Sequence, residues 1–259
     1  MRGAAAGVAD SRRDLVYGLH AVGAVIEHAP ERVLELWMSE PRQDARARSL
    51  RERALSAGLR VQTVGAEALA RLAGDVAHQG VVASIRPQKP WDEAALQAAI
   101  RQMPAPLLLV LDGVTDPHNL GACLRTAAAA GVGALLLPRD RSAAVDGTAR
   151  KVAAGAAELL PVVAVTNLAR ALGRLKESGV WVVGADGDAE QSLYDADLNR
   201  PLALVLGAEG QGLRRLTRET CDFLVRIPMS GAVQSLNVSV AAGIGLFEAR
   251  RQRRAASSS

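Results

Sequence analysis

Apolar runs and amphipathic stretches alternate along most of this chain. Residues 33–39 and 59–64 have the pattern of strands, and the amphipathic segments before and between them have the pattern of helices. From residue 105 the alternation is more regular, and PLLLVLDGV is a nearly continuous apolar run. Such a run is typical of a strand buried on both faces of a parallel sheet. The pattern predicts two α/β units, of which the second is an open, mostly parallel sheet with helices on both faces.

Prolines bracket the segment that separates the two units. We therefore predict a first domain over 14–87, a linker carrying one helix over 88–104, and a second domain over 105–254. The ends of the chain, 1–13 and 255–259, are predicted to be disordered tails because they are polar or low in complexity.

Composition limits how the protein could bind a nucleic acid. Hydrophobic residues make up 49% of the chain but aromatic residues only 3%, so the core is aliphatic and base stacking on exposed aromatic rings is not the expected mode of binding. The net charge is +4, and the basic residues of the two ends account for it, which leaves the body nearly neutral. Charged tails give non-specific attraction to polyanions or simply solubility.

The numbers of acidic and basic residues in the first domain are nearly equal, and few of its residues are candidates for contacting RNA. Arg42, Arg46 and Arg53 could share one face of their predicted helix and contact RNA there. His20 and His78 could also contact RNA, but capping or core roles are the simpler interpretation of both.

Cysteine usage and hydropathy indicate a cytoplasmic protein. Cys123 and Cys221 lie far apart in a chain that is large enough to fold without a disulfide, so both are expected to be reduced. No apolar run reaches the length of a membrane span, and the N-terminus lacks the apolar core of a signal peptide. No His–Cys cluster has the spacing of metal ligands, so we expect no metal.

Three predicted strands of the second domain end in unusual stretches, and parallel strands place their carboxyl ends, where ligands bind, at one edge. The first stretch is DGVTDPHNLGACLR. Asn119 is placed as the N-cap of a helix that Gly131 ends. Arg125 lies inside this helix among Gly and Ala neighbours, which leave its guanidinium open to a phosphate. A solvated surface arginine is the alternative interpretation.

The second stretch, LVLGAEGQGL, contains Gly207, Gly210 and Gly212 around Glu209. Its glycine spacing differs from the dinucleotide fingerprint, and a carboxylate in a phosphate cradle would repel the phosphate. An NAD-dependent oxidoreductase is therefore a poor fit. The glycines indicate either a plain turn or a backbone that approaches a ligand closely.

The third stretch, QSLNVSVAAG, allows two structures. Strict alternation would suit a strand with Ser235, Asn237 and Ser239 on its polar face. The small residues that follow at helical spacing, and the arginines after them, favour a helix that begins near Asn237. Ser235 and Asn237 would then lie at the helix start, either as caps or as groups that hold a polar ligand.

Taken in order, NLGACLRTAAAAG, LVLGAEGQGL and IPMSGAVQSLNVSVAAG resemble the three motifs of the SPOUT-type RNA 2′-O-methyltransferases, the tRNA and rRNA ribose methyltransferase family. The resemblance extends over nearly the whole chain after Asp14 and is nearest to the branch that methylates a guanosine of bacterial 23S rRNA in the peptidyl-transferase centre. It implies a parallel-sheet domain with a deep trefoil knot, preceded by a small ribosomal-protein-like α/β domain that binds the RNA substrate. It also implies S-adenosylmethionine as cofactor, ribosomal RNA as partner, and a homodimer with the last helix at its interface.

Residue by residue, the resemblance assigns the backbone at Gly207, Ile227 and Leu236, with Met229 nearby, to the cofactor pocket. The family gives the position of Arg125 the task of deprotonation. Since arginine stays protonated in proteins, we interpret Arg125 as a group that binds the phosphate beside the target ribose and stabilises the developing oxyanion. Two alternatives stay open: methylation of a tRNA ribose, and a non-catalytic RNA-binding assembly factor. The implied catalytic group consists of five polar residues: Asn119, Arg125, Glu209, Ser235 and Asn237.

Overall fold

The protein consists of two compact units, Met1–Lys89 and Pro90–Ser259, which divide inside the segment predicted as the linker. The structure is a computed structural model. It describes residues 14–40, 44–74, 78–87, 90–231 and 235–256.

Over its described residues, the first unit is a four-stranded mixed sheet with three α-helices. The strand order is β1-β4-β2-β3, in which β2 and β3 run parallel while β4 is antiparallel to both β1 and β2. The sequence pattern did not predict β1, because its sequence, DLVY, shows no alternation and the strand depends on pairing with β4. In chain order the elements are β1 (Asp14–Tyr17), α1 (Leu19–His28), β2 (Val33–Ser39), α2 (Ala45–Ser56), β3 (Val61–Val64), α3 (Ala66–Ala73) and β4 (Val81–Ile85).

The second unit is the predicted parallel sheet with helices on both faces. Its strand order is β10-β8-β9-β5-β6-β7, and neighbouring strands in this order pair in parallel. The trefoil knot that the resemblance implies stays a prediction. The elements are α4 (Glu93–Ile100), β5 (Leu107–Asp112), α5 (Pro117–Ala130), β6 (Ala134–Pro138), α6 (Gly147–Ala153), β7 (Val162–Val165), α7 (Leu168–Glu177), β8 (Trp181–Ala185), β9 (Leu202–Gly207), α8 (Arg215–Thr220), β10 (Phe223–Val225) and α9 (Val238–Ala256).

Strand β5 shows why this sheet needs continuous apolar runs. Successive side chains point to opposite faces, so Leu109 joins a core with Leu124 of α5 and Leu246 of α9. Val110 joins the core of the other face with Leu172 of α7. All five side chains are completely buried. Burial of each of these side chains stabilises the fold by about 1.5–3 kcal/mol, and a polar residue at the same position would lose that stabilisation.

The start of α5 differs from the prediction that Asn119 caps it. Asp116 is the N-cap, and its Oδ1 accepts a hydrogen bond from His118 N at 2.9 Å. Pro117 follows as the first helical residue, where its fixed φ suits a helix and its missing N–H costs nothing. Asn119 therefore lies in the first turn, with its side chain available for other contacts. The predicted end at Gly131 is confirmed, with a φ of 77°.

Residues 147–160, GTARKVAAGAAELL, have a continuous helical pattern, but the helix that forms there is interrupted. It ends at Ala153, and Ala154 and Gly155 then adopt left-handed conformations with φ of 50° and 95°. A short 3-10 turn, Ala156–Glu158, completes the segment. The glycine permits the reversal, which a continuous helical pattern in the sequence concealed.

Helices pack on the sheet beyond both ends of the predicted second domain, 105–254. The one helix predicted for the linker is α4, and it packs Leu96 and Ile100 into the core of the sheet. Helix α9 continues through Ala256, two residues into the predicted C-terminal tail. Residues 257–259 and the other predicted tail, 1–13, lie outside the described residues. Among the described helices, none is long and apolar enough to cross a membrane.

Candidate functional site

The loop after β9 folds back over the end of its own strand. Gly212 N donates to Ala208 O at 2.9 Å. A Cβ on Gly207 would lie 2.0 Å from the carbonyl carbon of Gly212, so only glycine fits there. Gly210 and Gly212 have φ of 76° and 66°, in the left-handed region that favours glycine. The glycines of the second stretch thus build a tight turn that lies against the carboxyl edge of the sheet.

An ion pair between a buried carboxylate and a partly exposed arginine fixes the end of this loop to β5. The Asp112 side chain is fully buried, and its Oδ2 accepts from Arg214 N at 3.0 Å. Its Oδ1 accepts from Arg214 Nε at 2.5 Å. A buried carboxylate without such donors would be costly, so Asp112 holds the loop in one position. Sequence analysis missed this residue, although a carboxylate at the end of an apolar strand was a signal for it.

Three of the five predicted polar residues are joined by hydrogen bonds. Asn237 Nδ2 donates to Asn119 Oδ1 at 2.8 Å, and Asn119 Nδ2 donates to Glu209 Oε1 at 3.4 Å. The same oxygen of Glu209 accepts from Val238 N at 3.2 Å. Residues that follow β5, β9 and β10 therefore form one cluster, as the common edge of a parallel sheet predicts.

The cluster lies at the N-terminus of α9. Asn237 Oδ1 accepts from Ser239 N at 2.9 Å and from Ser239 Oγ at 2.6 Å, which caps the helix. The negative charge of Glu209 is favourable beside the first N–H groups of a helix. The prediction of a helix that begins near Asn237 is confirmed, and the alternative strand is excluded.

A cavity of about 250 Å³ adjoins this cluster. The four residues that the resemblance assigned to the cofactor all line it: Gly207, Ile227, Met229 and Leu236. Glu209 and Ser235 of the predicted catalytic group line it as well. The cavity thus combines apolar side chains with a carboxylate and a hydroxyl at its edge.

Residues of the polar loop that follows β8 form another part of the lining. Asp186 and Gly187 follow β8, which lies beside β9 in the sheet, and both line the cavity. Asp186 is held in place, because Oδ2 accepts from Arg218 Nε at 2.7 Å and Oδ1 accepts from Asp188 N at 2.9 Å. Asp186 and Gly187 could have been identified from sequence, because they directly follow a strand of the same sheet.

The chemistry of this lining fits S-adenosylmethionine. Apolar side chains such as Ile227 and Leu236 can flank a flat adenine ring, and exposed backbone beside Gly207 offers donors and acceptors for its edge. The carboxylate of Glu209 provides a negative charge for a sulfonium cation. Over the described ranges, no group of three or more His, Cys, Asp or Glu residues could hold a metal ion.

The other two predicted catalytic residues are placed differently. The guanidinium of Arg125 is exposed and has no hydrogen bond or ion pair with a described residue. Six positions separate it from Asn119 on α5, which turns it about 120° away around the helix. Ser235 lines the cavity but makes no hydrogen bond to the cluster within the described residues. The catalytic roles of both residues stay predictions.

Both cysteines are free thiols, as predicted. Burial, together with the negative charge of Glu209, raises the pKa of Cys123 to about 12. Burial, with nearby acidic side chains, raises the pKa of Cys221 to about 12. Each thiol therefore stays protonated at neutral pH, which excludes them as thiolate nucleophiles.

Family models match both units of this chain. The model described as the SpoU rRNA Methylase family matches residues 106–247. The model described as RNA 2′-O ribose methyltransferase substrate binding matches residues 15–91. The two matches cover the sheet with the polar cluster and the smaller mixed sheet before it.

Relatives share sequence over nearly their full length. The chain is 55% identical over 246 residues to the 23S rRNA (guanosine-2′-O-)-methyltransferase RlmB of Pseudomonas aeruginosa, covering 94% of this chain and 98% of that protein. It is 51% identical over 243 residues to the protein of the same name from Shewanella oneidensis, covering 94% and 99%.

Solved structures show the same fold. The SpoU methyltransferase AviRb from Streptomyces viridochromogenes, in complex with the cofactor AdoMet, aligns with a TM-score of 0.73 and 26% identity. The alignment covers 94% of this chain and 91% of that chain. The matched family models and these relatives show that the chain belongs to the SpoU rRNA methylase family.

Proposed function

We propose that this protein transfers a methyl group from S-adenosylmethionine to the ribose 2′-hydroxyl of a guanosine in 23S rRNA. The guanosine would lie in the peptidyl-transferase region of that RNA, and the reaction would take place in the cytoplasm. One observation carries the proposal: Asn119, Glu209 and Asn237 converge beside a cavity that the four expected cofactor residues line. The relatives named as 23S rRNA guanosine methyltransferases support the choice of substrate.

The cavity would hold the cofactor through shape and backbone contacts. Ile227 and Leu236 would flank the adenine, the backbone at Gly207 would contact its edge, and Met229 would cover the ligand from the solvent side, where it is 41% exposed. When bound, S-adenosylmethionine supplies a methyl group on a sulfonium sulfur, which is already activated toward an oxygen nucleophile. The task left to the protein is to align and assist a weakly acidic hydroxyl.

The polar residues would perform that task by position and charge. Asn119, Ser235 and Asn237 would orient the ribose, and Glu209 would keep Asn119 and the first turn of α9 in place. Arg125 would bind the phosphate beside the ribose and stabilise the negative charge that develops on the 2′-oxygen. Its exposed guanidinium, without a partner among the described residues, suits a group that awaits an RNA phosphate.

We also propose that the protein is a homodimer that pairs through α9. Val240 and Phe247 lie seven positions apart, hence on one face of this helix, and are 49% and 47% exposed. A second copy would cover this apolar face. Light scattering should give twice the chain mass for the wild type and a smaller mass for Phe247→Asp. An unchanged mass in that variant would place the interface elsewhere.

The experiment offers labelled S-adenosylmethionine with 23S rRNA fragments and, separately, with a tRNA pool. We expect methyl transfer to the 23S fragments, and a loss of most turnover in Arg125→Lys, which keeps the charge but not the two-pronged hydrogen bonding. Arg215→Lys is the matched control, because Arg215 is a surface arginine whose one ion pair among the described residues is with Glu219 in its own helix turn.

Each other outcome has a defined meaning. Transfer to tRNA alone would favour the tRNA alternative. Absence of S-adenosylmethionine binding in calorimetry would favour the assembly factor. Near wild-type turnover in Arg125→Lys would refute the role given to that residue.

A further inference from the structure

The first unit contains a cavity that the proposed chemistry does not use. Its volume is about 580 Å³, within the range of small-ligand sites. It lies where the parallel strands β2 and β3 end, since Ser39 closes β2 and Gly65 follows β3, and both line it. The side chains around it that carry hydrogen-bonding or charged groups include Ser39, Glu40, Arg48, Arg51, His78 and Gln79.

Two arginines present positive charge to this cavity from α2. Arg48 and Arg51 are three positions apart, hence on one face of the helix. The Arg48 guanidinium has no hydrogen bond or ion pair with a described residue. Arg51 Nη1 donates to Thr63 Oγ1 at 3.1 Å, which orients the guanidinium and leaves its other N–H groups for a ligand. Adjacent guanidinium groups are suited to bind a phosphate.

Residues 78–80 of the lining carry donors that local hydrogen bonds hold in place. Gly80 N donates to His78 Nδ1 at 3.1 Å, so the proton of the neutral ring is on Nε2, which can donate to a ligand. Gln79 has a left-handed φ of 50°, and its Oε1 accepts from Leu19 N at 3.2 Å. The Gln79 amide nitrogen keeps its donors. Fixed donors of this kind suit the recognition of a base edge.

The two acidic residues of the lining have different roles. Asp44 caps α2, because its Oδ1 accepts from Arg46 N at 2.8 Å. Glu40 has no side-chain hydrogen bond or ion pair with a described residue. Its carboxylate can therefore accept from the amino group of a base.

From this arrangement we propose that the cavity binds one unstacked nucleotide of the RNA substrate. Arg48 and Arg51 hold its phosphate, and Glu40, His78 and Gln79 contact the edge of its base. Of the described residues that line the cavity, none is Phe, Tyr or Trp, so charge and hydrogen bonds hold the nucleotide rather than stacking. This inference rests on the proposed function for the identity of the ligand as RNA.

Two of the arginines that the sequence suggested for RNA binding are described, and neither lines this cavity. Arg53 Nη1 pairs with Glu27 Oε2 at 3.4 Å. Arg46 is exposed on α2 but is absent from the lining. Arg42 lies outside the described residues. Arg71 is the matched control, because it is an exposed arginine of the same unit, on α3, and is absent from the lining.

The test measures methylation of a 23S rRNA fragment by the full-length protein carrying Arg48→Ala, Arg51→Ala or Arg71→Ala. For the first two variants we expect the KM for RNA to rise about 10-fold while kcat and the Kd for S-adenosylmethionine stay within about twofold. The slope of log Kd for RNA against log salt should fall by about 0.7 for each lost phosphate contact with single-stranded RNA. Arg71→Ala should keep the wild-type KM.

Equal KM values in all three variants and the wild type would overturn the proposal. Unchanged S-adenosylmethionine affinity and an unchanged unfolding temperature verify that each variant is folded, and Arg48→Glu repeats the test by charge reversal at an exposed position. If the wild type methylates no rRNA, the proposed function fails, and filter binding of the same fragment then tests the cavity alone. In that assay, weaker binding by Arg48→Ala than by Arg71→Ala supports the cavity, and equal binding refutes it.

Discussion

Gly207→Ala tests whether the loop after β9 forms the wall of the cofactor site. A methyl group at this position would lie 2.0 Å from Gly212 C, 2.1 Å from Gly212 O and 2.4 Å from Leu213 N. Carbon atoms in good contact are about 3.5–4.0 Å apart, so the loop would have to move by about 1.5 Å. All three atoms belong to the backbone, and no side-chain rotation can relieve the overlap.

The cost follows from the size of that overlap. Overpacking a well-packed site typically costs about 1–3 kcal/mol, and a contact with rigid backbone belongs at the upper end. If the bound conformation of the loop carries about 3 kcal/mol of strain, the Kd for S-adenosylmethionine rises roughly 100-fold. The sheet below the loop is unaffected, so the protein should still fold.

Calorimetric titration with S-adenosylmethionine measures this effect, and thermal unfolding verifies the fold. Gly173→Ala is the matched control, because a Cβ on Gly173 meets nothing within 4 Å and the residue lies inside α7. That substitution should leave the Kd unchanged and stabilise the helix by about 0.5–1 kcal/mol. A Gly207→Ala protein that binds the cofactor within about threefold of the wild type would refute the reasoning.

Three further predictions concern groups around the site and in α9. Asp112→Ala removes the buried partner of Arg214 and should lower the free energy of unfolding by about 2–3 kcal/mol, measured by denaturant titration. A decrease below about 0.5 kcal/mol would contradict the role of Asp112 as the anchor of the loop. Cys123 and Cys221, each with a pKa near 12, should resist iodoacetamide at pH 8 until the protein unfolds. Mass spectrometry measures the labelling, and rapid labelling of either thiol in the native protein would contradict this prediction. The hydrogen bond from Arg251 lowers the pKa of Glu248 in the folded protein. This hydrogen bond therefore stabilises the fold fully above the ordinary carboxyl pKa of about 4.3, and the stabilisation is lost as the pH falls through the lower pKa of the folded state. The stability difference between the wild type and Glu248→Gln should therefore be constant above about pH 5 and shrink below about pH 4, and a difference that grows on acidification would show the sign to be wrong.

The fold of the second unit was largely predictable because burial on two faces imposes a readable pattern. The apolar run of β5 and the helix that ends at Gly131 were both located from sequence. Strand β1 and the break after Ala153 were not located in this way. The four residues of β1 depend on pairing with β4, and the break at Gly155 depends on a left-handed turn inside a continuous helical pattern.

The site was predictable as far as residues follow strand ends. That rule, with the family resemblance, brought Asn119, Glu209 and Asn237 together in advance. It did not distinguish a cap from its neighbour, because Asp116 and Asn119 both suit a helix start and only the position of Pro117 decides between them. Contacts between distant side chains, such as the pair of Asp112 with Arg214, have no local signature and required the structure.

The most direct test of the central claim is a single-turnover reaction between the purified protein, S-adenosylmethionine carrying a labelled methyl group, and an unmodified 23S rRNA fragment, followed by nucleoside mass spectrometry. The account predicts that the label appears in 2′-O-methylguanosine, up to one equivalent per fragment, and that the Asn237→Ala protein transfers far less. Label on a base, label on no nucleoside, or undiminished transfer by Asn237→Ala would contradict it.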